Sequence, residues 1–205
     1  MKASVFIAIF SGVERGGWLC PELARFLVAL THEKERNISM KLSIGVSPVD
    51  YARNLIAKEF LNSGADWCLM IDNDQSVPLD ILKMLDWAAV NAHIVVPMNF
   101  RSASNGRIGI QPVWEPLGAP TNEAWQELQA CGAGVIGVRR EVFERIGKQG
   151  PWFRFECDSS GKVTKGEDIY FCERARAVGC RILGNKNFTV EHYHTVGLAS
   201  LAACK

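Results

Sequence analysis

Hydrophobic and polar positions alternate along the chain in blocks whose lengths fit strands and helices. Apolar and β-branched residues fill 3–10, and a glycine-rich loop over 11–17 follows them. Residues 21–32 then carry leucine and phenylalanine at helical spacing, 39–46 predict a second strand, and 49–61 predict a second helix. The first quarter of the chain is therefore typical of strands that alternate with amphipathic helices.

The same alternation continues through the next forty or so residues. The run 67–71 is apolar without alternation, which is typical of a strand buried on both faces. Pro78, a favoured first-turn residue, predicts the start of a helix that turns Ile81, Leu82 and Leu85 inward, and 93–97 predict another strand. Strands that alternate with helices indicate βαβ units. The predicted fold class is α/β, with a mostly parallel central sheet flanked by helices.

The second half of the chain is less regular. Glycine and proline over 101–124 predict a loop or an excursion of short strands. The remaining predicted elements are a strand pair in 126–138 around Gly132 and Gly134, short helices over 139–146 and 166–178, and short strands over 181–183 and 188–194.

Composition limits the domain count and the class of partner. The chain has 205 residues, of which 48% are hydrophobic and 22% charged, enough for one α/β domain over 1–205 and too few for two. The net charge of +1 lacks the basic excess of a dedicated nucleic-acid binder, so no nucleic-acid partner is expected. Any phosphate binding must be local.

The cysteines and the hydropathy pattern bear on location. Seven cysteines are scattered along the chain and none forms a C-x-x-C pair, which favours reduced thiols in a cytoplasmic protein. No segment approaches the roughly 20 apolar residues of a membrane span. We expect a cytoplasmic protein without a transmembrane segment, and peripheral attachment to a membrane through a partner stays open.

Two carboxylates end the apolar run at 67–71. Asp72 and Asp74 lie where open α/β sheets bind ligands, at the carboxyl end of a strand. If the backbone stays extended, their side chains point the same way and suit a hard divalent cation. A solvated turn is the alternative interpretation of the pair taken alone.

Two further clusters carry candidate chemistry. Glu167 and Asp168 open a predicted helix, where they either interact with the helix dipole or place a general base in a site. His192 and His194 share one face of a predicted strand, and neutral imidazole is a good ligand for a transition metal, although most histidines are ordinary core or surface residues.

One earlier pair is equally ambiguous. Arg53 and Asn54 lie near the start of the second predicted helix. An arginine there either pairs bidentately with phosphate or covers a helix face.

Taken in order, these motifs resemble GT-A fold glycosyltransferases of the nucleotide-sugar-dependent, family-2-like type. The matching segments are 52–54, 65–67 running into the D-x-D of 71–74, 78–80, 132–143, 166–172 and His192. The resemblance implies a nucleotide-sugar-binding half over 1–100 and an acceptor-binding half over 101–205. The loop after the first strand departs from the family, because it lacks the Pro and Tyr-Asn pattern frequent there.

The resemblance also implies a role for each site residue. Asp74, with Asp72 directly or through water, would hold Mn²⁺ or Mg²⁺ against the donor diphosphate, and either His192 or His194 would complete the metal shell. Asp168 would be the base that deprotonates an acceptor hydroxyl, and Glu167 would be its partner or an acceptor contact. The donor contacts would be Ser11, Gly12, Arg53, Asn54, Asp72, Asn73 and Asp74.

The function implied is metal-dependent transfer of a sugar from a UDP- or GDP-sugar to a hydroxyl on a glycan, lipid or protein, inverting if Asp168 is the base. A retaining reaction, a non-catalytic domain that binds nucleotide sugars or glycans, and a sugar nucleotidyltransferase are the alternatives. The last matches poorly because the loop after the first strand has no lysine. Donor sugar, base, acceptor and oligomeric state stay open.

Overall fold

The computed structural model describes residues 2–12, 18–88, 90–102 and 110–193. The predicted metal ligand His194 lies outside these residues. The helices are α1 (Pro21–Leu30), α2 (Val49–Ser63), α3 (Leu82–Ala88), α4 (Arg140–Ile146) and α5 (Glu167–Ala177). The strands are β1 (Val5–Ser11), β2 (Ile38–Ile44), β3 (Trp67–Asp72), β4 (Ile94–Ser102), β5 (Ile110–Pro112), β6 (Trp114–Pro116), β7 (Trp125–Cys131), β8 (Val135–Arg139), β9 (Glu156–Cys157), β10 (Val163–Lys165) and β11 (Ile182–Val190).

The central sheet has the order β2-β1-β3-β8-β4-β11-β7-β6, with β5 paired to β4. The pairs β1–β2, β1–β3 and β4–β11 are parallel. The strand β8 is antiparallel to both β3 and β4, so those two run in the same direction on either side of it. The predicted α/β class with a mostly parallel sheet is confirmed, and the antiparallel pairs make the sheet mixed.

Helices cover both faces of this sheet. In β1, Phe6, Ala8 and Phe10 belong to a core cluster that includes side chains of α2, α4 and α5. The alternate residues Val5 and Ile7, with Ile9, belong to a second cluster formed with α1 and α3. A strand turns successive side chains to opposite faces, so a strand buried on both faces has to be continuously apolar. This is why β1 and β3 were predictable from sequence.

Two predicted elements need correction. The two short strands expected over 181–183 and 188–194 are one strand, β11, whose pairing with β4 is irregular between Asn185 and Thr189. The helix expected to open at Pro78 begins at Leu82. The Ile81 N–H donates to the Pro78 carbonyl over 3.0 Å, a bond across three residues that makes a tight turn before α3.

No helix within the described ranges is long and apolar enough to cross a bilayer. Six of the seven cysteines lie in those ranges, and all six are free thiols, as predicted. The seventh, Cys204, lies outside them.

His93, just before β4, makes the stability of the fold depend on pH. Its Nδ1 accepts a hydrogen bond from the Arg181 N–H over 3.0 Å, which requires that nitrogen to be unprotonated. Burial lowers the pKa of His93, so the folded protein holds its proton less tightly than the unfolded chain does. This stabilisation is complete above the unfolded pKa of about 6.5 and is lost as the pH falls through the folded value.

We expect the free energy of unfolding to fall between pH 7 and pH 5, and His93→Asn to reduce that fall. Urea unfolding at both pH values measures the difference. His32→Asn, at the exposed end of α1, is the control and keeps the wild-type dependence. The same pH dependence in His93→Asn and wild type would contradict the assignment.

Candidate functional site

The carboxyl end of β3 forms the centre of the candidate site. The Asp72 N–H donates to the Gly134 carbonyl over 2.8 Å, and the Gln75 N–H donates back to the Asp72 carbonyl over 3.1 Å. The chain therefore turns after Asp72, and the extended backbone assumed in the sequence prediction does not continue to Asp74. As a result the two carboxylates of the D-x-D have different protein partners.

Asp72 is paired with a buried arginine. Nη2 of Arg53 lies 3.1 and 3.3 Å from the two carboxylate oxygens of Asp72, and Nη1 lies 2.8 Å from Oε1 of Glu167. Only 3% of Arg53 is exposed. Arg53 was predicted to lie near the nucleotide, a prediction that stays untested. The structure shows that its guanidinium joins the end of β3 to the start of α5.

Burial and charge act in opposite directions on this triad. Burial raises the pKa of Asp72 and of Glu167, and this effect outweighs the opposing influence of Arg53 on both carboxyls. Burial alone would lower the pKa of Arg53. The nearby Asp72 and Glu167 raise it by more than burial lowers it, so the guanidinium stays charged. The buried cation therefore compensates the charge of the half-buried Asp72 and of the buried Glu167.

Replacing Arg53 should destabilise the protein more than replacing an exposed cation. Arg53→Met leaves both carboxylates without their cation, and we expect a loss of about 3 kcal/mol in the free energy of unfolding. The control is Lys41→Met, which removes an exposed ion pair with Glu59 and should cost about 0.5 kcal/mol or less. Urea unfolding at pH 7 measures both, and equal losses would contradict the role given to Arg53.

Asp74 faces a histidine from the other half of the chain. Oδ2 of Asp74 lies 3.1 Å from Nε2 of His192. Backbone pairing brings them together, because the Tyr193 N–H donates to the Asp74 carbonyl over 2.8 Å and Gln75 forms a β-bridge with His192. The segment after β11 thus returns to the turn after β3. The sequence predicted Asp74 and His192 as metal ligands, and the structure places them in contact.

The Asp74 carboxylate and the His192 imidazole are both groups that can coordinate a divalent cation. Carboxylate oxygen suits Mg²⁺ and Mn²⁺, and imidazole nitrogen suits metals of the first transition row. Within the described part of the chain, no three side chains of histidine, cysteine, aspartate or glutamate are grouped as a metal cage.

The loop residues predicted to contact the donor lie at the same edge. Ser11 ends β1 and is buried, and its Oγ has no hydrogen-bond partner among the described residues. A Cβ on Gly12 would meet open space. The Asn73 amide donates to the Trp18 carbonyl over 2.6 Å and holds the chain before α1 against the end of β3. Contacts of all three residues with a donor stay predictions.

Asn54 has a clear structural role. Its amide nitrogen donates to the carbonyls of Asp50 and Phe153, both over 2.7 Å. Its amide oxygen accepts from the N–H groups of Trp152 and Phe153. The side chain therefore fixes the segment after α4 against α2. Its predicted contact with the nucleotide remains untested.

Asp168 lies between two glycines. Its Oδ1 is 2.6 Å from the position that a Cβ on Gly166 would occupy, and its Oδ2 is 3.7 Å from the corresponding position on Gly132. Oδ1 also accepts the Ile169 N–H over 2.8 Å, so one oxygen is held by the first turn of α5. A half-buried carboxylate is thus set beside the backbone at Gly132.

No family model and no curated protein matches the chain. Several solved structures do match the chain. The structure of A197 from STIV aligns with a TM-score of 0.64 at 17% identity, over 94% of this chain and 86% of that chain. The structure of GalNAc-T7 with UDP, GalNAc and Mn²⁺ aligns with a TM-score of 0.58 at 13% identity, over 95% of this chain.

The structure of S. aureus TarS 1–349 with UDP-GlcNAc gives a TM-score of 0.50 at 12% identity, over 96% of this chain. The fold is therefore the GT-A fold of glycosyltransferases. At these identities the likeness shows the fold alone. This chain spans 44% of the GalNAc-T7 chain and 61% of the TarS chain.

Within the GT-A fold of this chain, sequence reasoning missed two buried amides. Gln75 follows the D-x-D directly, and Asn99 lies in β4 beyond its buried apolar run. Both side chains are buried, and neither Oε1 of Gln75 nor Oδ1 of Asn99 has a hydrogen-bond partner among the described residues. A signal was available, because each is a polar residue at the carboxyl end of a buried strand, as Asp72 is.

Proposed function

We propose that this chain is a metal-dependent glycosyltransferase that moves a sugar from a nucleotide-sugar donor to a hydroxyl acceptor. The observation that carries the proposal is the linkage of two predicted half-sites. The contact between Asp74 and His192 would lie on the donor side and Asp168 on the acceptor side. Arg53, paired with both Asp72 and Glu167, links the end of β3 to the first turn of α5 that carries Asp168. The GT-A structures solved with UDP, GalNAc and Mn²⁺ or with UDP-GlcNAc give further support.

On the donor side, residues 1–100 would bind a UDP- or GDP-sugar. Asp74 and His192 would hold Mn²⁺ or Mg²⁺, with Asp72 reaching it directly or through water. Such a cation neutralises the charge that develops on a leaving diphosphate. Ser11 and Gly12 would lie beside the nucleoside. The Oγ of Ser11 is buried and has no hydrogen-bond partner among the described residues, which supports this placement, since a ribose or base would supply that bond.

On the acceptor side, residues 101–205 would place a hydroxyl of a glycan, lipid or protein over Gly132 and Gly134. Oδ2 of Asp168 would take the hydroxyl proton as the acceptor oxygen forms its bond to the anomeric carbon. The bond from that carbon to the diphosphate oxygen breaks, and its electron pair leaves with the diphosphate. A single displacement of this kind inverts the anomeric centre. Glu167, held by Arg53, would fix the first turn of α5 that carries Asp168.

The direct test is incubation with a panel of UDP- and GDP-sugars and Mn²⁺, with and without a chelator. We expect slow release of nucleoside diphosphate from one donor by hydrolysis, faster release with an acceptor, and suppression by the chelator. Binding without release under any acceptor would favour the non-catalytic binding domain. Release of pyrophosphate from a nucleoside triphosphate and a sugar phosphate would favour the nucleotidyltransferase.

A further inference from the structure

The strand β2 lies at one end of the central sheet. It pairs with β1 along one edge, and no described strand pairs with its outer edge. An end strand of this kind presents a row of backbone N–H and C=O groups with which another chain can pair. Proteins often protect such edges with short strands, proline or bulges, but β2 has seven residues, no proline and a regular register with β1.

The backbone groups on the outer edge of β2 belong to alternate residues. The Val5 N–H donates to the Asn37 carbonyl over 2.9 Å, and the Gly45 N–H donates to the Ser11 carbonyl over 2.8 Å. In a parallel pair every second residue of a strand bonds to the neighbouring strand, so the odd-numbered residues of β2 bond to β1. The N–H and C=O groups of the even-numbered residues therefore point outward. These residues are Ile38, Met40, Leu42 and Ile44.

Three of these residues also expose apolar side chains. Met40, Leu42 and Ile44 are 53%, 50% and 56% exposed. They lie on the same face of the sheet, because successive side chains of a strand alternate between its faces. The outer edge of β2 thus combines outward backbone groups with a continuous row of exposed apolar side chains, and a surface of this kind is typical of an interaction site.

This edge is complementary to a second copy of itself. If two copies of β2 run antiparallel about a two-fold axis at Leu42, each Leu42 faces the other, and Met40 faces Ile44 of the second copy. Every one of these pairs joins residues whose N–H and C=O groups point outward, so each pair can exchange two hydrogen bonds. The same pairs bring the exposed apolar side chains together on one face.

Charge favours this register and this partner. Lys41 is the charged residue of β2, and its Nζ lies 3.1 Å from Oε1 of Glu59 in the same chain. With the axis at Leu42, Lys41 faces the uncharged Ser43 of the second copy. An axis at Lys41 would instead set two lysines directly opposite each other, which is unfavourable. The net charge of +1 leaves little long-range repulsion between two copies.

We propose that the outer edge of β2 is a homodimer interface, where two copies of this chain join their central sheets through antiparallel β2 strands. The dimer is symmetric, because the same residues of both copies form the contact. This inference is independent of the proposed function, since it needs neither a donor nor a metal. The interface is only one strand long, so the dimer forms as the protein concentration rises.

Sedimentation velocity of the full chain in a reducing buffer tests the association. Over about a hundredfold range of concentration, we expect wild type to change from monomer to dimer. Leu42→Lys sets two lysines opposite each other at the axis and should raise the dissociation constant at least about tenfold. The matched control is Val163→Lys, which changes an apolar residue that is 51% exposed, in the separate β9–β10 sheet. The control should associate as wild type does.

Leu42→Cys tests the register directly. Facing residues of this type have Cα atoms about 5.5 Å apart, within the range of a disulfide. Oxidised glutathione takes the electrons and protons of the two thiols and leaves as two reduced molecules. Met40→Cys is the control, because its two copies would lie about 14 Å apart along the strands, too far to be bridged. Both variants also carry Cys157→Ser, which removes an exposed thiol, and Cys204→Ser.

Selective cross-linking of Leu42→Cys supports the inference, even if Leu42→Lys fails to fold. A chain that stays monomeric at every concentration and gives no cross-linked Leu42→Cys overturns it. Dimers that Leu42→Lys forms with wild-type affinity also overturn it, because the second copy would then bind elsewhere. If Met40→Cys cross-links as fast as Leu42→Cys, the bridges arise from random collision and the proposed pairing is wrong.

Discussion

Replacing Asp168 with asparagine is expected to lower the rate of sugar transfer by about 10³-fold, within the range of general base catalysis, while donor affinity changes by less than about twofold. Asparagine has the shape of aspartate and its amide oxygen still accepts the Ile169 N–H, so the first turn of α5 is preserved. It cannot take a proton from an acceptor hydroxyl. Steady-state transfer with saturating donor measures the rate, and calorimetry measures the donor affinity.

The control for Asp168→Asn is Glu173→Gln, on the same helix. Glu173 forms an exposed ion pair with Lys165, so its replacement should leave the rate unchanged. A wild-type rate in Asp168→Asn would sink the assignment of the base. A loss of donor affinity equal to the loss of rate would instead mean that Asp168 supports the donor site, which a retaining enzyme also allows.

The hydrophobic pattern of the sequence predicts a strand well where helices cover the strand on both faces. The observed β3 extends the predicted strand by one residue, because a strand covered on both faces is apolar at every position and stops at the first charged one, Asp72. The helix α2 begins at Val49, as predicted. Its last residue is Ser63, and Gly64 caps it in the left-handed conformation. Both boundaries follow from properties of the residues themselves.

The local hydrophobic pattern does not indicate which distant segments pair with each other. The antiparallel strand β8 lies between β3 and β4, which no periodicity indicates, and it carries Gly134 into the site. The partner of Arg53 is equally remote, because Glu167 lies 114 residues away in the chain. The sequence left Arg53 open between pairing with phosphate and covering a helix face, and the family resemblance implied a position near the nucleotide. The pairing of Arg53 with the half-buried Asp72 and the buried Glu167 follows from tertiary packing.

Charged residues at strand ends are the members of the candidate site that a sequence pattern names most readily. Asp74 and His192 were named from sequence, and the structure puts them 3.1 Å apart. Gln75 and Asn99 went unnoticed because neutral amides form no recognisable motif. Their importance lies in burial and in hydrogen bonds left unmade, and both are properties of the folded chain.

Replacing Asp74 with alanine should remove the dependence of nucleotide binding on Mn²⁺. We expect wild type to bind UDP or GDP at least about 100-fold more tightly with Mn²⁺ than with a chelator, since even partners of metal ligands affect affinity by 10- to 100-fold. Asp74→Ala should bind equally weakly in both conditions. The backbone should be preserved, because the bond from the Tyr193 N–H is to the carbonyl of residue 74.

His192→Ala should reduce the effect of Mn²⁺ in the same direction, because its Nε2 faces the Asp74 carboxylate. The control is Asp80→Asn, an exposed carboxylate paired with Lys83, which should keep the full Mn²⁺ effect. Asp72→Asn separates the two carboxylates of the D-x-D. Since Arg53 already holds Asp72, that change should lower stability more than it lowers Mn²⁺-dependent binding. If Asp74→Ala keeps the Mn²⁺ effect and Asp72→Asn loses it, the cation belongs to Asp72, and Arg53 must release that carboxylate when the donor binds.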